Sequence, residues 1–271
     1  MIGIIGAIAG DAIGVPYEFY QGENIKTKEF DLIKPESRVS DDTVHTIAVA
    51  DWLMNTDRSE QALADLIIKW SYPRYHYGYG GMMSKAIQQK KLEPYGSWGN
   101  GSAMRVSPVI WVSNSEDECL ELAERSASVS HNHPEGIKGA QATALAGWMN
   151  RNGYDKKDIK ERIEKQFGYD LSRTLDEIRP DYHFYVSCQK SVPESIIAWL
   201  ESESYEDCIR NTISLGGDAD TMACIAGGIC NANPKTQISD KLVIELFGKY
   251  ERKLDNEMRD ILNNFHERFE N

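Results

Sequence analysis

Glycines 3, 6, 10 and 14 recur at steps of three and four through an otherwise apolar run, and this stripe constrains the packing of the whole chain. At helical spacing they fall on one side of the helix. A side without side-chain bulk lets a second backbone approach closely. The apolar run 1–10 has no Lys or Arg before it, and Asp11 ends it far short of a bilayer span. A buried central helix is expected there, not a targeting or membrane segment.

Apolar residues at three- and four-residue steps predict further helices over 43–54, 60–70, 116–128, 134–149, 194–200, 205–215 and 241–269. Alternating strand patterns are scarce. The stretches 21–38, 72–81, 93–101 and 170–191 read as irregular, and in a helical body such segments present binding residues. The expected fold is all-α: a compact orthogonal helical bundle with residues 1–271 as a single domain, since no Pro/Gly/Ser-rich linker divides the 271 residues. A monomer is expected. The five cysteines are scattered, with no C-x-x-C pair, which argues against a disulfide framework or a thiolate zinc site and for a reducing, cytoplasmic setting.

Charge narrows the partners. With 42 acidic against 30 basic residues, the formal charge of -12 opposes general nucleic-acid binding. It does not oppose a small anion if divalent ions sit in the pocket, because each ion reverses the local field.

Two acidic clusters stand at loop-to-helix junctions: Ser40-Asp41-Asp42-Thr43, and Gly216-Gly217-Asp218-Ala219-Asp220-Thr221. Asp42-Thr43-x-x-x-Ile47-Ala48 is echoed by Asp220-Thr221-x-x-x-Ile225-Ala226. Such residues are good helix caps and complement the helix dipole. Capping needs one side chain, however, and each cluster holds two carboxylates, whose repulsion a cation would relieve. Oxygen ligands without converging cysteines point to Mg or Mn, and four aspartates suffice for two divalent ions.

Four other segments carry candidate chemistry. In Gly10-Asp11-Ala12-Ile13-Gly14-Val15-Pro16-Tyr17-Glu18, Glu18 is expected just beyond a proline break, to complete a metal shell or handle protons, or to be an ordinary solvated carboxylate. Asp11 is expected to cap or orient a neighbouring loop. Gly99-Asn100-Gly101-Ser102 feeds Ala103-Met104-Arg105 and suits a phosphate through free N–H groups, or is a plain glycine turn. Arg105 is expected to pair with a phosphate or an internal carboxylate. His131-Asn132-His133-Pro134 opens a helix, where a neutral histidine can meet a ribose hydroxyl or simply cap. The aromatic stretch 72–79 with Trp98 offers rings for stacking or for covering the core.

Taken in order, GDAIGVPYE (10–18), SDDT (40–43), GYGG (78–81), SWGNGSAMRVSP (97–108), SHNHPEG (130–136), SVPESIIAWL (191–200) and SLGGDADTMACIAGG (214–228) resemble the ADP-ribosylglycohydrolase family. The resemblance spans nearly the whole chain. It implies an all-α fold with two Mg or Mn ions held by Ser40, Asp41, Asp42, Asp218, Asp220 and Thr221. It implies substrate contacts from Gly99, Asn100, Gly101, Ser102 and Met104, a substrate-facing His131 with His133 beside it, and Glu18 as the general base, a task that Asp41 or Asp220 can share. The chemistry implied is hydrolysis of the bond between ADP-ribose and a modified acceptor, through an oxocarbenium-like state with a metal-acidified water. The alternatives are a non-catalytic ADP-ribose-binding or structural protein, and a metal-dependent phosphohydrolase. The chain departs from the family pattern at Ser40, usually threonine, and at Ser191, where dinitrogenase-type members carry an aromatic that stacks on adenine.

Overall fold

Residues 3–18, 25–248 and 254–269 are described by a computed structural model. In chain order its helices are α1 (Ile5–Glu18), α2 (Asp41–Asn55), α3 (Glu60–Ser71), α4 (Gly81–Gln89), α5 (Gly101–Met104), α6 (Ser107–Val112), α7 (Glu116–Ser128), α8 (Pro134–Arg151), α9 (Lys156–Phe167), α10 (Leu175–Ile178), α11 (Cys188–Leu200), α12 (Tyr205–Ile213), α13 (Ala219–Asn231), α14 (Asp240–Gly248) and α15 (Asn256–Phe269). Among the described residues the only β pairing is an isolated bridge between Gly99 and Ser187. The fold is all-α, as expected.

The glycine stripe seats α1 on α13. A Cβ at Gly10 would stand 2.1 Å from the Ala223 carbonyl oxygen, and one at Gly14 would stand 2.4 Å from Asp220 Cα. No side chain fits at either contact, so the backbones touch. Every residue of α13 is buried, which its small residues allow, and the helix lies at the centre of the core between α1, α8, α11 and α12. The close approach at Gly14 carries the end of α1, and with it Glu18, to the start of α13.

Three boundaries differ from expectation. α1 does not break at Pro16 but continues to Glu18; so near the helix end, proline removes a single hydrogen bond. α11 begins at Cys188 and runs through Pro193, so the irregular stretch is shorter than read. The continuous helix expected over 241–269 is two helices, with 249–253 outside the described residues. Asp255 caps α15, its Oδ1 accepting from Met258 N at 3.0 Å. Met258, Leu262 and Phe265 are buried and seat α15 against α2. All five cysteines are free and buried. No helix among the described residues is long and apolar enough to cross a membrane.

Candidate metal centre and ligand cleft

A cleft of about 590 Å³ opens where α1, α2 and α13 begin or end, and its floor carries Glu18, Asp41, Asp42, Asp218 and Asp220. Local chemistry places each of them. Ser40 is the N-cap of α2, its Oγ accepting from Asp42 N at 3.2 Å, which projects Asp41 and Asp42 from the first turn. Gly216 and Gly217 have φ of 74° and 83°, and a Cβ at Gly217 would lie 2.7 Å from the Tyr182 ring. Only glycine turns the chain there, delivering Asp218 and Asp220 to the head of α13.

These carboxylates form two overlapping sets. Asp11, Asp42 and Asp220 bring one oxygen each within 4.8 Å of one another, and so do Glu18, Asp218 and Asp220. Asp220 belongs to both. Asp42 Oδ2 accepts from Ser40 Oγ at 3.1 Å and Thr221 Oγ1 at 3.3 Å, while Asp42 Oδ1 is buried without a partner. A buried anionic oxygen without a donor is costly, and oxygen donors alone suit a hard divalent ion. The residues therefore fit such a cation.

Electrostatics gives the same reading. Burial first and then the neighbouring carboxylates push Asp220 up to about 8 and Glu18 up to about 10. The same causes raise Asp41 and Asp42 well above the ordinary range, and Asp11, despite its hydrogen bonds, to about 7. Asp218 is raised by burial, partly offset by hydrogen bonds from Asn100 and Thr221. Only added positive charge lets so many carboxylates ionise together.

All six expected metal-ligand residues line the cleft, though Asp41 belongs to neither set of three. Asp11 orients a loop as expected, its carboxylate accepting from Ser40 N at 3.0 Å, Thr43 N at 3.1 Å and both hydroxyls. It also belongs to the first carboxylate set, which the sequence reading did not include. Asn100 Nδ2 donates to Asp218 Oδ2 at 2.7 Å and to Ser191 Oγ at 3.1 Å. Ser191 thus sits buried beneath Asn100 and presents no stacking surface.

Gly99, Asn100, Gly101, Met104 and His131 line the cleft; Ser102 and His133 do not. The Ser102 hydroxyl faces inward and donates to the Gly136 carbonyl at 2.7 Å. His133 caps α8, its Nδ1 accepting from Glu135 N at 3.1 Å. Arg105 does not line the cleft: fully buried, it donates to the Ser126 carbonyl at 2.6 Å and Ser130 Oγ at 2.9 Å. Ser130 Oγ in turn contacts His131 Nδ1 at 2.7 Å. Burial and then the Arg105 charge hold His131 well below the usual imidazole range, so it faces the cleft neutral.

Sequence reasoning missed His45, Arg38, Phe184 and Val186. His45 lies one helical turn beyond Asp41 and Asp42, a spacing that places it on their face of α2, and burial lowers it to about 3. Arg38, exposed at the mouth, is the one Lys or Arg among the described residues lining the cleft. Phe184 and Val186 reach the cleft from an irregular segment with no readable pattern. Of the aromatic stretch, Tyr77 and Tyr79 line the cleft, whereas Trp98 lies outside it, edge-on to His133.

Comparison with known proteins adds an independent line. Residues 2–235 match the family model described as ADP-ribosylglycohydrolase. The chain is 24% identical to mouse ADP-ribosylhydrolase ARH3, with 84% of this chain and 82% of that protein covered. It is 23% identical to the ADP-ribosyl-[dinitrogen reductase] glycohydrolase of Rhodospirillum rubrum, covering 94% and 91%. A solved structure titled "ADP-ribosylglycohydrolase-related protein complex" superposes with a TM-score of 0.71 at 19% identity, covering 97% of this chain and 95% of that one.

Proposed function

The chain belongs to the ADP-ribosylglycohydrolase family, and from that premise we propose that it releases ADP-ribose from a modified acceptor by metal-dependent hydrolysis of the glycosidic bond. The observation that carries this reading is the pair of carboxylate sets joined at Asp220 on the floor of the cleft. At about 590 Å³ the cleft falls in the range of roughly 300–1,000 Å³ usual for small-molecule sites.

Asp11, Asp42 and Asp220 would hold one Mg or Mn ion, and Glu18, Asp218 and Asp220 a second, with Ser40, Asp41 and Thr221 alongside. When bound, such ions lower the pKa of a water and neutralise the carboxylates. The protein's own groups do the rest. Glu18, only partly buried at the cleft edge, takes the proton of the attacking water. Neutral His131 hydrogen-bonds the ribose, and Arg38 meets the diphosphate at the mouth. Asn100 fixes Asp218 while its neighbours Gly99 and Gly101 let the ligand approach the backbone.

The test is incubation of the purified protein with ADP-ribosylated arginine, serine and nucleobase substrates in Mg or Mn. Free ADP-ribose from at least one is expected. No release from any, or release of phosphate instead, would overturn the reading.

A further inference from the structure

The C-terminal segment lies beyond residues 2–235 that match the family, yet Glu257 of α15 pairs with Arg74, three residues ahead of the cleft-lining stretch 77–83. Residues 77–83 form a wall of the cleft, and they follow directly on the turn 72–77 in which Arg74 departs from helical geometry. Within this wall, a glycine-rich lip, Tyr79 and Met83 are buried, Tyr79 lying 5.4 Å from the His45 ring, while the glycines between them have open space around them. Gly78 has a φ of 103°, and a Cβ at Gly78, Gly80 or Gly81 would meet nothing within 4 Å. Its downstream end is tied by Ser84, whose Oγ donates to the Tyr79 carbonyl at 2.9 Å and whose N donates to the Gly80 carbonyl at 2.8 Å.

The upstream end is tied by Arg74. Its guanidinium, with a side chain only 8% exposed, donates to Asp255 Oδ2 from Nε at 2.8 Å and to Glu257 Oε2 from Nη2 at 2.8 Å. It also donates to the Trp70 carbonyl at 3.1 Å and lies 4.8 Å from the Trp70 ring. Asp255 caps α15 and Glu257 stands in its first turn, and that helix is fixed independently by its buried apolar face and by Arg268 Nη1 donating to the Met54 carbonyl at 2.8 Å. The Asp255 and Glu257 side chains are 42% and 76% exposed, so each pair taken singly contributes little. A buried arginine that loses both partners is a different case, because an unpaired charge is left in the seam.

We propose that α15 is a clamp on the cleft: Asp255 and Glu257, acting through Arg74, hold the lip 77–83 at the width that admits the ligand. They are positioning residues for the hydrolysis proposed above, and the clamp's effect on turnover rests on that reading. Its effect on the lip does not.

The test uses the full chain carrying Asp255→Asn with Glu257→Gln, which keeps shape and removes charge. Amides of residues 77–84 are expected to exchange hydrogen about tenfold faster than in the parent protein, while those of α13 are unchanged. With an ADP-ribosylated substrate, KM is expected to rise about fivefold and kcat to stay within about twofold, since the clamp shapes binding and does not touch the reacting atoms. The charge-keeping variant Asp255→Glu should restore protection. Unchanged exchange at 77–84, or faster exchange spread evenly through the core, would overturn the clamp. If the parent protein hydrolyses nothing, that result falls on the hydrolase reading, and the exchange measurement still decides the clamp.

Discussion

Asp220→Asn should act in opposite directions with and without divalent ions. Asp220 is the one carboxylate common to both sets, and it figures among the causes that raise Asp11, Glu18, Asp41 and Asp42. Its own folded value is raised from 3.8 to about 8. A raised carboxylate contributes stability that is present below the unfolded value and lost as pH rises through the folded one. Metal-free protein should therefore weaken between about pH 4 and pH 8. A tenfold change in proton affinity is about 1.4 kcal/mol, so the loss traceable to Asp220 is on the order of a few kcal/mol. In a chain of this size each kcal/mol is roughly 2–4 °C in Tm. Asparagine keeps the shape and removes the charge. In EDTA at pH 8 the variant should melt higher than the parent protein, whereas in Mg or Mn it should lose most of the parent's metal-induced gain. Differential scanning calorimetry at pH 5 and pH 8, with EDTA and with Mn, reads all four states. A variant that melts below the parent in EDTA at pH 8, or that keeps the full gain with metal, would refute the reasoning.

Three further substitutions probe separate parts of the site. Glu18→Gln removes one carboxylate of the second set, so ion binding by calorimetry should weaken at that set alone, and kcat at saturating metal should fall by about 100-fold or more, the usual scale for loss of a general base; normal turnover would assign the proton to another group. Asn100→Ala removes the 2.7 Å bond to Asp218, and metal affinity should fall about 10- to 100-fold with the melting curve little changed; an unaltered affinity would contradict this. Gly14→Ala places a methyl 2.4 Å from Asp220 Cα, and forcing α1 off α13 should cost at least about 1–3 kcal/mol in denaturant unfolding. It should also weaken metal binding, because Glu18 moves away; a variant with unchanged stability would show that α1 is not seated as described.

Much of this was legible because it is local chemistry with a strong period. Glycines 6, 10 and 14 announced a backbone contact before its partner was known, and the partner proved to be α13, which bears Asp220. The carboxylates stood out because cap positions rarely need two acids. What was not legible depends on distant segments meeting. Asp11 read as a capping residue, and it does that work, but its place beside Asp42 and Asp220 exists only once α1 crosses both helices. Ser102 and His133 sit within the right motifs, yet hydrogen bonds to Gly136 and Glu135 turn them away from the cleft. The break before α15 was hidden by apolar spacing that continues across it, and Asp255 was its one local signal.

The proposal that two cations share Asp220 is tested most directly with manganese. Electron paramagnetic resonance of the protein titrated with Mn should show two ions per chain in a spin-coupled pair, and the coupling should vanish in Asp220→Asn. A single uncoupled ion, or a coupled pair that survives the substitution, would contradict it.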